Sequence, residues 1–283
     1  MRFVSTFLLL AAGISAAGLP EFDRARDLYQ HTNYRESIKV LLALSPKDPN
    51  VLQLLGQNYY MAGDFKKSSE ALEKAVAMGN SRAETYLWLG RAYGRRAETA
   101  GPFSAPGLAG HARKNFEKAV ELDITSHEAA GDLMDYYLGA PGFMGGGMNK
   151  AEDLAKRVAA VDAPEGEYLW AQIEDKRKHY DAAENHLRKA KELSPREIGR
   201  LLPLAVHLAK HGRTKESDAL FAEAASLAPG NPHVVFDRAE TYVETQRNLD
   251  DARRLLREYV TLPLTPEDPP RESAQALLAK IQP

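Results

Sequence analysis

Between Glu84 and Leu122 the chain reads Tyr86-x-x-Leu89-Gly90-x-x-Tyr93 and then Ala112-x-x-x-Phe116-x-x-Ala119. Large side chains recur there at helical spacing with small ones set among them. The pattern predicts two helices crossing at short range. Tyr86, Leu89, Tyr93 and Phe116 are the knobs, and Gly90, Ala112 and Ala119 leave the room they need. One such pair cannot bury its apolar face alone, so neighbouring segments must repeat the pattern and stack on it.

They do, at a period of about 34 residues. The first window runs from about Leu19 to Pro49, with Ala25 in the small position, Asn33-Tyr34 at the turn, and Ile38, Leu41 and Leu42 on the second helix. The second carries Leu52-x-x-Leu55-Gly56-x-x-Tyr59, the turn Gly63-Asp64-Phe65, then Leu72 and Ala75. The step from Tyr34 to Phe65 is a little short, which predicts a trimmed second helix in the first window. A fourth window runs through Leu133, Tyr137, Ala151 and Ala155, and a fifth through Trp170, Ala171, Tyr180, Ala183, Leu187 and Ala190. A sixth contains Leu201, Leu204, Ala205, Gly212, Phe221 and Ala224, and a seventh Phe236, Ala239, Tyr242, Ala252, Leu256 and Tyr259. Proline ends several of them, at Pro49, Pro195 and Pro229. After the proline-rich run Pro263 to Pro270, a last amphipathic helix from about Arg271 to Ile281 places Ala274, Leu277, Leu278 and Ile281 on one face and reads as a cap. The fold class is therefore all-α, an α-solenoid of about seven helix-turn-helix repeats with a C-terminal capping helix. The array occupies residues 18–262, and residues 263–283 form the linker and cap.

Two windows carry insertions at the turn between their helices. Ala112 follows Tyr93 by about ten residues too many, and Gly101-Pro102-Phe103-Ser104-Ala105-Pro106-Gly107 reads as a loop that no helix continues through. Arg95, Arg96 and Glu98 extend the helix before it. Gly139 to Met148, with three successive glycines, is the second insertion. The tips Phe103, Leu108, Phe143 and Met144 either pack on each other or on a partner along one edge, or fold inward against the helix ends.

In its repeats the chain resembles the tetratricopeptide-repeat family, and in particular exported bacterial members, over nearly everything after residue 17. That resemblance implies binding of protein or peptide partners rather than catalysis, with the first helix of each pair lining a concave groove. Its groove-facing positions correspond to Arg26 and Tyr29, then Gln53, Gln57 and Tyr60, then Leu87, Arg91 and Arg95. Farther along they correspond to Asp135, to Tyr168, Gln172 and Asp175, and to Phe236 and Glu240. Tyrosine with glutamine and arginine suits an extended peptide, because the rings give area at low entropy cost while amides and guanidinium groups meet carbonyls and carboxylates. The Lys and Asn clamp by which some family members hold a C-terminal carboxylate is not reproduced, since Gln53, Gln57, Leu87 and Arg91 occupy those places. Partner-binding positions are thus expected at Arg26, Tyr29, Gln53, Gln57, Tyr60, Arg91, Arg95, Tyr168 and Gln172, with Phe103 and Phe143 on the insertion edge.

Arg2, the apolar run Phe3 to Ala12 and the small residues to Ala17 read as a secretory signal peptide over residues 1–17. The run is too short to span a membrane. The expected destination is outside the cytoplasm, periplasmic or secreted, with no integral membrane segment after cleavage. With 44% hydrophobic and 27% charged residues the chain has the composition of a folded protein. Its net charge of -2 offers no footprint for nucleic acid. The lack of cysteine removes disulfides, thiolate metal sites and thiol nucleophiles.

Chemical motifs add little. Gly142-x-x-x-x-Gly147 is followed by Met148-Asn149-Lys150, so the lysine of a phosphate loop is misplaced. His207 and His211 stand at i and i+4, a spacing that can hold a metal, but no carboxylate at metalloprotease spacing accompanies them. His127-Glu128 has Gly131 where a second histidine belongs, and no Gly-x-Ser-x-Gly elbow occurs. No catalytic residue, cofactor or metal is expected. The expected function is an exported interaction scaffold that holds a protein or extended peptide in its groove or on the insertion edge. The alternative is a small-ligand-binding accessory protein of a transport system, with its pocket under the two loops.

Overall fold

A computed structural model describes residues 20–44 and 48–281, so the signal-peptide reading at 1–17 lies outside the described residues. The described chain is a succession of helix pairs with no strand. The first two pairs are α1 (Pro20–Gln30) with α2 (Tyr34–Ala43) and α3 (Pro49–Met61) with α4 (Phe65–Ala77). The next two are α5 (Ala83–Glu98) with α6 (Ala105–Leu122) and α7 (His127–Gly139) with α8 (Met148–Ala159). Three more follow: α9 (Ala163–Lys176) with α10 (Tyr180–Leu193), α11 (Ile198–Lys210) with α12 (Thr214–Leu227), and α13 (Pro232–Glu244) with α14 (Leu249–Tyr259). The cap is α15 (Arg271–Lys280). Seven pairs and a cap are what the period predicts, and α2 is as short as the 31-residue first step requires.

In five of the seven pairs the turn between the helices has the same chemistry. At Thr32, Gly63, Lys178, Gly212 and Gln246 the backbone takes a positive φ between 52° and 81°. The next N–H then reaches back to a carbonyl five residues earlier, as in Asn33 to Leu28, Asp64 to Tyr59 and His179 to Glu174. This closes the helix end by satisfying carbonyls that the helix itself leaves free. The opposite ends are closed by side chains. Asp64, Ser126, Asp162 and Asn231 each accept a hydrogen bond from an N–H in the following turn. Pro49 and Pro232 open α3 and α13, where no N–H is needed.

The crossings are as close as the small residues allow. A Cβ on Gly90 would lie 2.5 Å from the Phe116 ring, and one on Gly56 2.5 Å from Leu72. Successive pairs are also joined by a recurring phenol–carboxylate bond. Tyr93 of α5 donates to Glu73 of α4, Tyr137 of α7 to Glu117 of α6 at 2.9 Å, and Tyr242 of α13 to Asp218 of α12 at 2.9 Å. Burial, and then Glu73, push the Tyr93 phenol up to about 12, so it stays a donor at any physiological pH.

The first helices pack on one another, α1 on α3, α3 on α5, α5 on α7, α7 on α9 and α11 on α13. The second helices make no comparable contact among the described residues. The array therefore curves with its first helices inside. Its core runs in four consecutive clusters along the chain, the largest from Leu72 to Ile173. The cap closes the last cluster with Ala274, Leu277 and Ile281, and Arg271 donates to the Val260 and Leu262 carbonyls.

Two expectations change. The stretch Gly101 to Gly107 is not all loop, because α6 begins at Ala105. Pro106 sits in its first turn, where a missing N–H is harmless, so most of the surplus lengthens α5 and α6. Phe103 and Phe143 do not fold inward, for both side chains stand in solvent. Only Leu108 packs against the core.

Substituting alanine at two helical glycines separates packing from propensity. At Gly94 nothing lies within 4 Å of the added Cβ, so Gly94→Ala is expected to stabilise the fold by about 0.5–1 kcal/mol. At Gly166 the added Cβ meets the Ala159 Cα at 2.4 Å and its backbone N at 2.8 Å, and Gly166→Ala is expected to destabilise by about 1–3 kcal/mol. Urea unfolding midpoints shifting in opposite directions check both.

Candidate functional site

The inner face is built from the first helices, and its polar groups meet across repeats. Gln53 and Gln57 on α3 donate their amide N–H groups to the two oxygens of Glu84 on α5, at 2.8 and 2.7 Å. The Gln53 oxygen accepts from Asn80 at 2.9 Å, Thr85 at 2.6 Å and Arg82 at 2.5 Å. Arg91 on α5 reaches Asp132 at 2.5 Å and Glu128 at 2.9 Å on α7, and lies over the Trp88 ring. Arg200 on α11 pairs at 2.6 Å with Glu165 on α9, and both side chains are almost fully buried. A buried pair of this kind holds register between neighbours, because removing either charge leaves the other without compensation.

Two clefts open along this face. The first, of about 700 Å³, is lined by Tyr29, Gln57, Glu84, Leu87, Trp88 and Arg91, and across from them by His233, Pro266 and Glu267. The curvature therefore carries the C-terminal linker opposite the N-terminal repeats. A smaller recess of about 290 Å³ between α1 and α3 continues it past Arg26, Tyr29 and Gln53. The second cleft, of about 520 Å³, lies between α9 and α11 and is lined by Tyr168, Gln172, Asp175, His207, His211 and Asp237, with Pro203 at its wall. Pro203 lies inside α11, which continues through it with one backbone donor fewer.

Burial governs the charges. Burial disfavours ionisation of Arg91, yet Asp132 and Glu128 outweigh it and hold the guanidinium more firmly protonated than usual. Burial raises the Asp132 carboxyl against the pull of Arg91, and raises Asp135, which also feels Asp132. Asp237 is pushed up to about 6 by burial, with His233 opposing and Glu240 adding to the rise. Burial also raises Tyr168 and Glu240.

The expected binding positions separate into groups. Tyr29, Gln57 and Arg91 line the larger cleft, Arg26 the recess, and Tyr168 and Gln172 the second cleft. Gln53 is 4% exposed and takes part in the network between α3 and α5, so most of its amide is occupied by neighbours. Tyr60 packs its ring against Phe65 and Trp88, and Arg95 lies over Phe65 while pairing with Glu98 at 2.5 Å. Phe103 and Phe143 are on the insertion edge, away from both clefts. Phe236, expected to face the groove, is buried against Tyr259 in the last core cluster. The sequence reading overlooked Trp88, Glu84, the ion pairs Arg91–Asp132 and Glu165–Arg200, and the approach of Asp175 to His207. In each of these pairs the partners stand about one period apart, and that period is the signal that identifies them.

No family model matches the sequence, and no curated protein matches it. Among solved structures, a tetratricopeptide repeat protein from Parabacteroides merdae superposes with a TM-score of 0.58 at 13% identity, covering 92% of this chain and 97% of that one. The fold is that of the tetratricopeptide repeat. A thermophilic tetratricopeptide-repeat protein from Thermus thermophilus agrees, with a TM-score of 0.51 at 20% identity over 66% of this chain and 97% of that one. The order of the helices, with the first of each pair inside, agrees with that fold. No helix among the described residues is long and apolar enough to cross a membrane.

The Asp237 carboxyl gives a pH test of the inner face. Its folded pKa of about 6 lies above the ordinary 3.8, so the folded state holds its proton where the unfolded chain has lost it. That contribution to stability is complete below pH 4 and is lost as pH rises through 6. Asp237→Asn is therefore expected to stabilise the protein by on the order of 2 kcal/mol at pH 7.5 and to leave it unchanged at pH 3.5. Urea titrations at the two pH values check the sign.

Proposed function

We propose that this protein is a non-catalytic interaction scaffold working outside the cytoplasm, and that the larger inner cleft holds an extended peptide segment carrying lysine or arginine. The observation that carries the reading is the charge of that cleft. Glu84, Asp123, Glu128 and Glu267 line it against Arg91 and His233, and Arg91 is already engaged by Glu128 and Asp132. A concave wall with an excess of carboxylates raises the local concentration of cationic groups. Trp88, Leu87 and Tyr29 supply apolar and aromatic surface between the charges, which suits the side chains of a strand laid along the groove. The network beneath is already formed, so a peptide meets side chains that need little further ordering.

Export rests on the N-terminal pattern of Arg2, the apolar run and Ala17. The mature protein recovered from its host is expected to begin at Gly18, and N-terminal sequencing that finds Met1 retained overturns export by cleavage.

Binding is tested with an array of extended peptides of varied charge. Peptides with two or more Lys or Arg are expected to bind, and to weaken as salt rises. Glu267→Lys, which reverses an exposed charge on the cleft rim, is expected to weaken them by about 3–10-fold at low salt and by less as salt rises. Phe103→Ala with Phe143→Ala leaves groove binding unchanged. Loss of binding in the phenylalanine variant with none in Glu267→Lys moves the site to the insertion edge.

A further inference from the structure

Three groups that a peptide in the larger cleft does not use meet in the second one. His207 stands in the last turn of α11 and His211 directly follows that helix, while Asp175 comes from the last turn of α9 in the preceding repeat. Each offers one ligand atom, and the three atoms lie within 4.8 Å of one another. His207 Nδ1 and Asp175 Oδ1 are 3.4 Å apart. Two ligands on a tetrahedral zinc ion with bonds of ~2.0–2.1 Å stand roughly 3.3 Å apart, so one edge of a coordination shell is already near its length.

The surroundings favour such a shell. His207 is 6% exposed and fixed by packing, while Asp175 and His211 are exposed on either side of it. Tyr180 lies 4.4 Å from the His211 ring centroid to centroid, and the two histidine rings stand 4.5 Å apart, which keeps His211 over the cleft. Lys210, the nearby cation on the cleft wall, pairs instead with Glu244 at 3.0 Å. A simple aspartate–histidine ion pair explains Asp175 and His207 but not the arrival of His211 at the same point. The cleft of about 520 Å³ opens on all three residues, so an ion held there keeps a further position facing the groove.

We propose that Asp175, His207 and His211 bind a divalent transition ion of the zinc type. Two imidazoles and a carboxylate suit a borderline cation, whereas magnesium and calcium favour all-oxygen shells. The inference stands apart from the peptide reading, since it involves a different cleft and needs no peptide.

The test uses the full chain stripped with chelator and titrated with zinc chloride by calorimetry, and with cobalt chloride by visible absorption. One zinc per chain is expected, together with a cobalt spectrum of imidazole coordination. His211→Ala and Asp175→Asn, both at exposed side chains, are each expected to weaken zinc at least about tenfold. His31→Ala, on an exposed and distant histidine, leaves affinity unchanged. Zinc raises the thermal midpoint of the wild type and not that of His211→Ala. Equal zinc affinity in the wild type, His211→Ala and Asp175→Asn overturns the assignment, as does a wild type that takes up neither metal.

Discussion

The close crossing of paired helices is the constraint from which the rest of the molecule follows. At Gly90 the Phe116 ring stands within 2.5 Å of where a Cβ would be, and at Gly56 Leu72 does the same. Helices this close leave each pair with one apolar face still open, and only the next pair covers it. The same crossing recurs in pair after pair, with the positive-φ turn in five of the seven, and gives a like step from one pair to the next. A like step with first helices in mutual contact gives curvature of one sense, and curvature makes an inside.

The chemistry of that inside is a consequence of the step. Because first helices are neighbours, side chains about one period apart face each other: Gln53 and Glu84, Arg91 and Asp132, Glu165 and Arg200, Asp175 and His207. Most inner-face charge is therefore compensated before any ligand arrives. What remains least compensated is acidic: burial raises the Asp135 carboxyl with Asp132 adding to the rise, and raises that of Asp237 against the weaker pull of His233. Such acids in a partly dry cleft favour a cationic visitor, since a cation recovers what desolvation took away.

The period in the sequence is enough to place seven pairs and the cap, because knobs, small residues and capping groups all repeat with it. It does not report where individual side chains point. Gln53 reads as an available groove amide, yet its burial depends on Asn80, Arg82 and Thr85 in the next repeat. Pro106 reads as a breaker, but in the first turn of α6 it needs no donor, and the surplus residues become helix. The second insertion is a loop for a local reason. Gly145 and Gly147 adopt positive φ, and a Cβ on Gly146 would fall 1.9 Å from the Ala140 carbonyl oxygen. His207 and His211 are visible within one window, whereas Asp175 lies in the preceding one and is found only by comparing equivalent positions across repeats.

The insertion edge and the groove differ in what they can contribute. The second loop is held by Tyr136 donating to the Met144 carbonyl at 2.9 Å, by the Gly147 N–H on the Tyr137 carbonyl at 2.8 Å, and by Lys150 on the Gly145 carbonyl at 2.9 Å. Phe143 is thus presented by an ordered turn, 85% exposed, and Phe103 stands fully exposed beyond α5. Burying a side chain of this size yields about 1.5–3 kcal/mol, so the two together reach roughly 3–6 kcal/mol before any ordering cost. A dissociation constant of 1 mM already corresponds to about 4 kcal/mol. Two phenylalanines on an edge therefore strengthen an association without specifying it. Specific recognition needs the charged, convergent surface of the groove, where a mismatched partner leaves desolvated carboxylates unpaired.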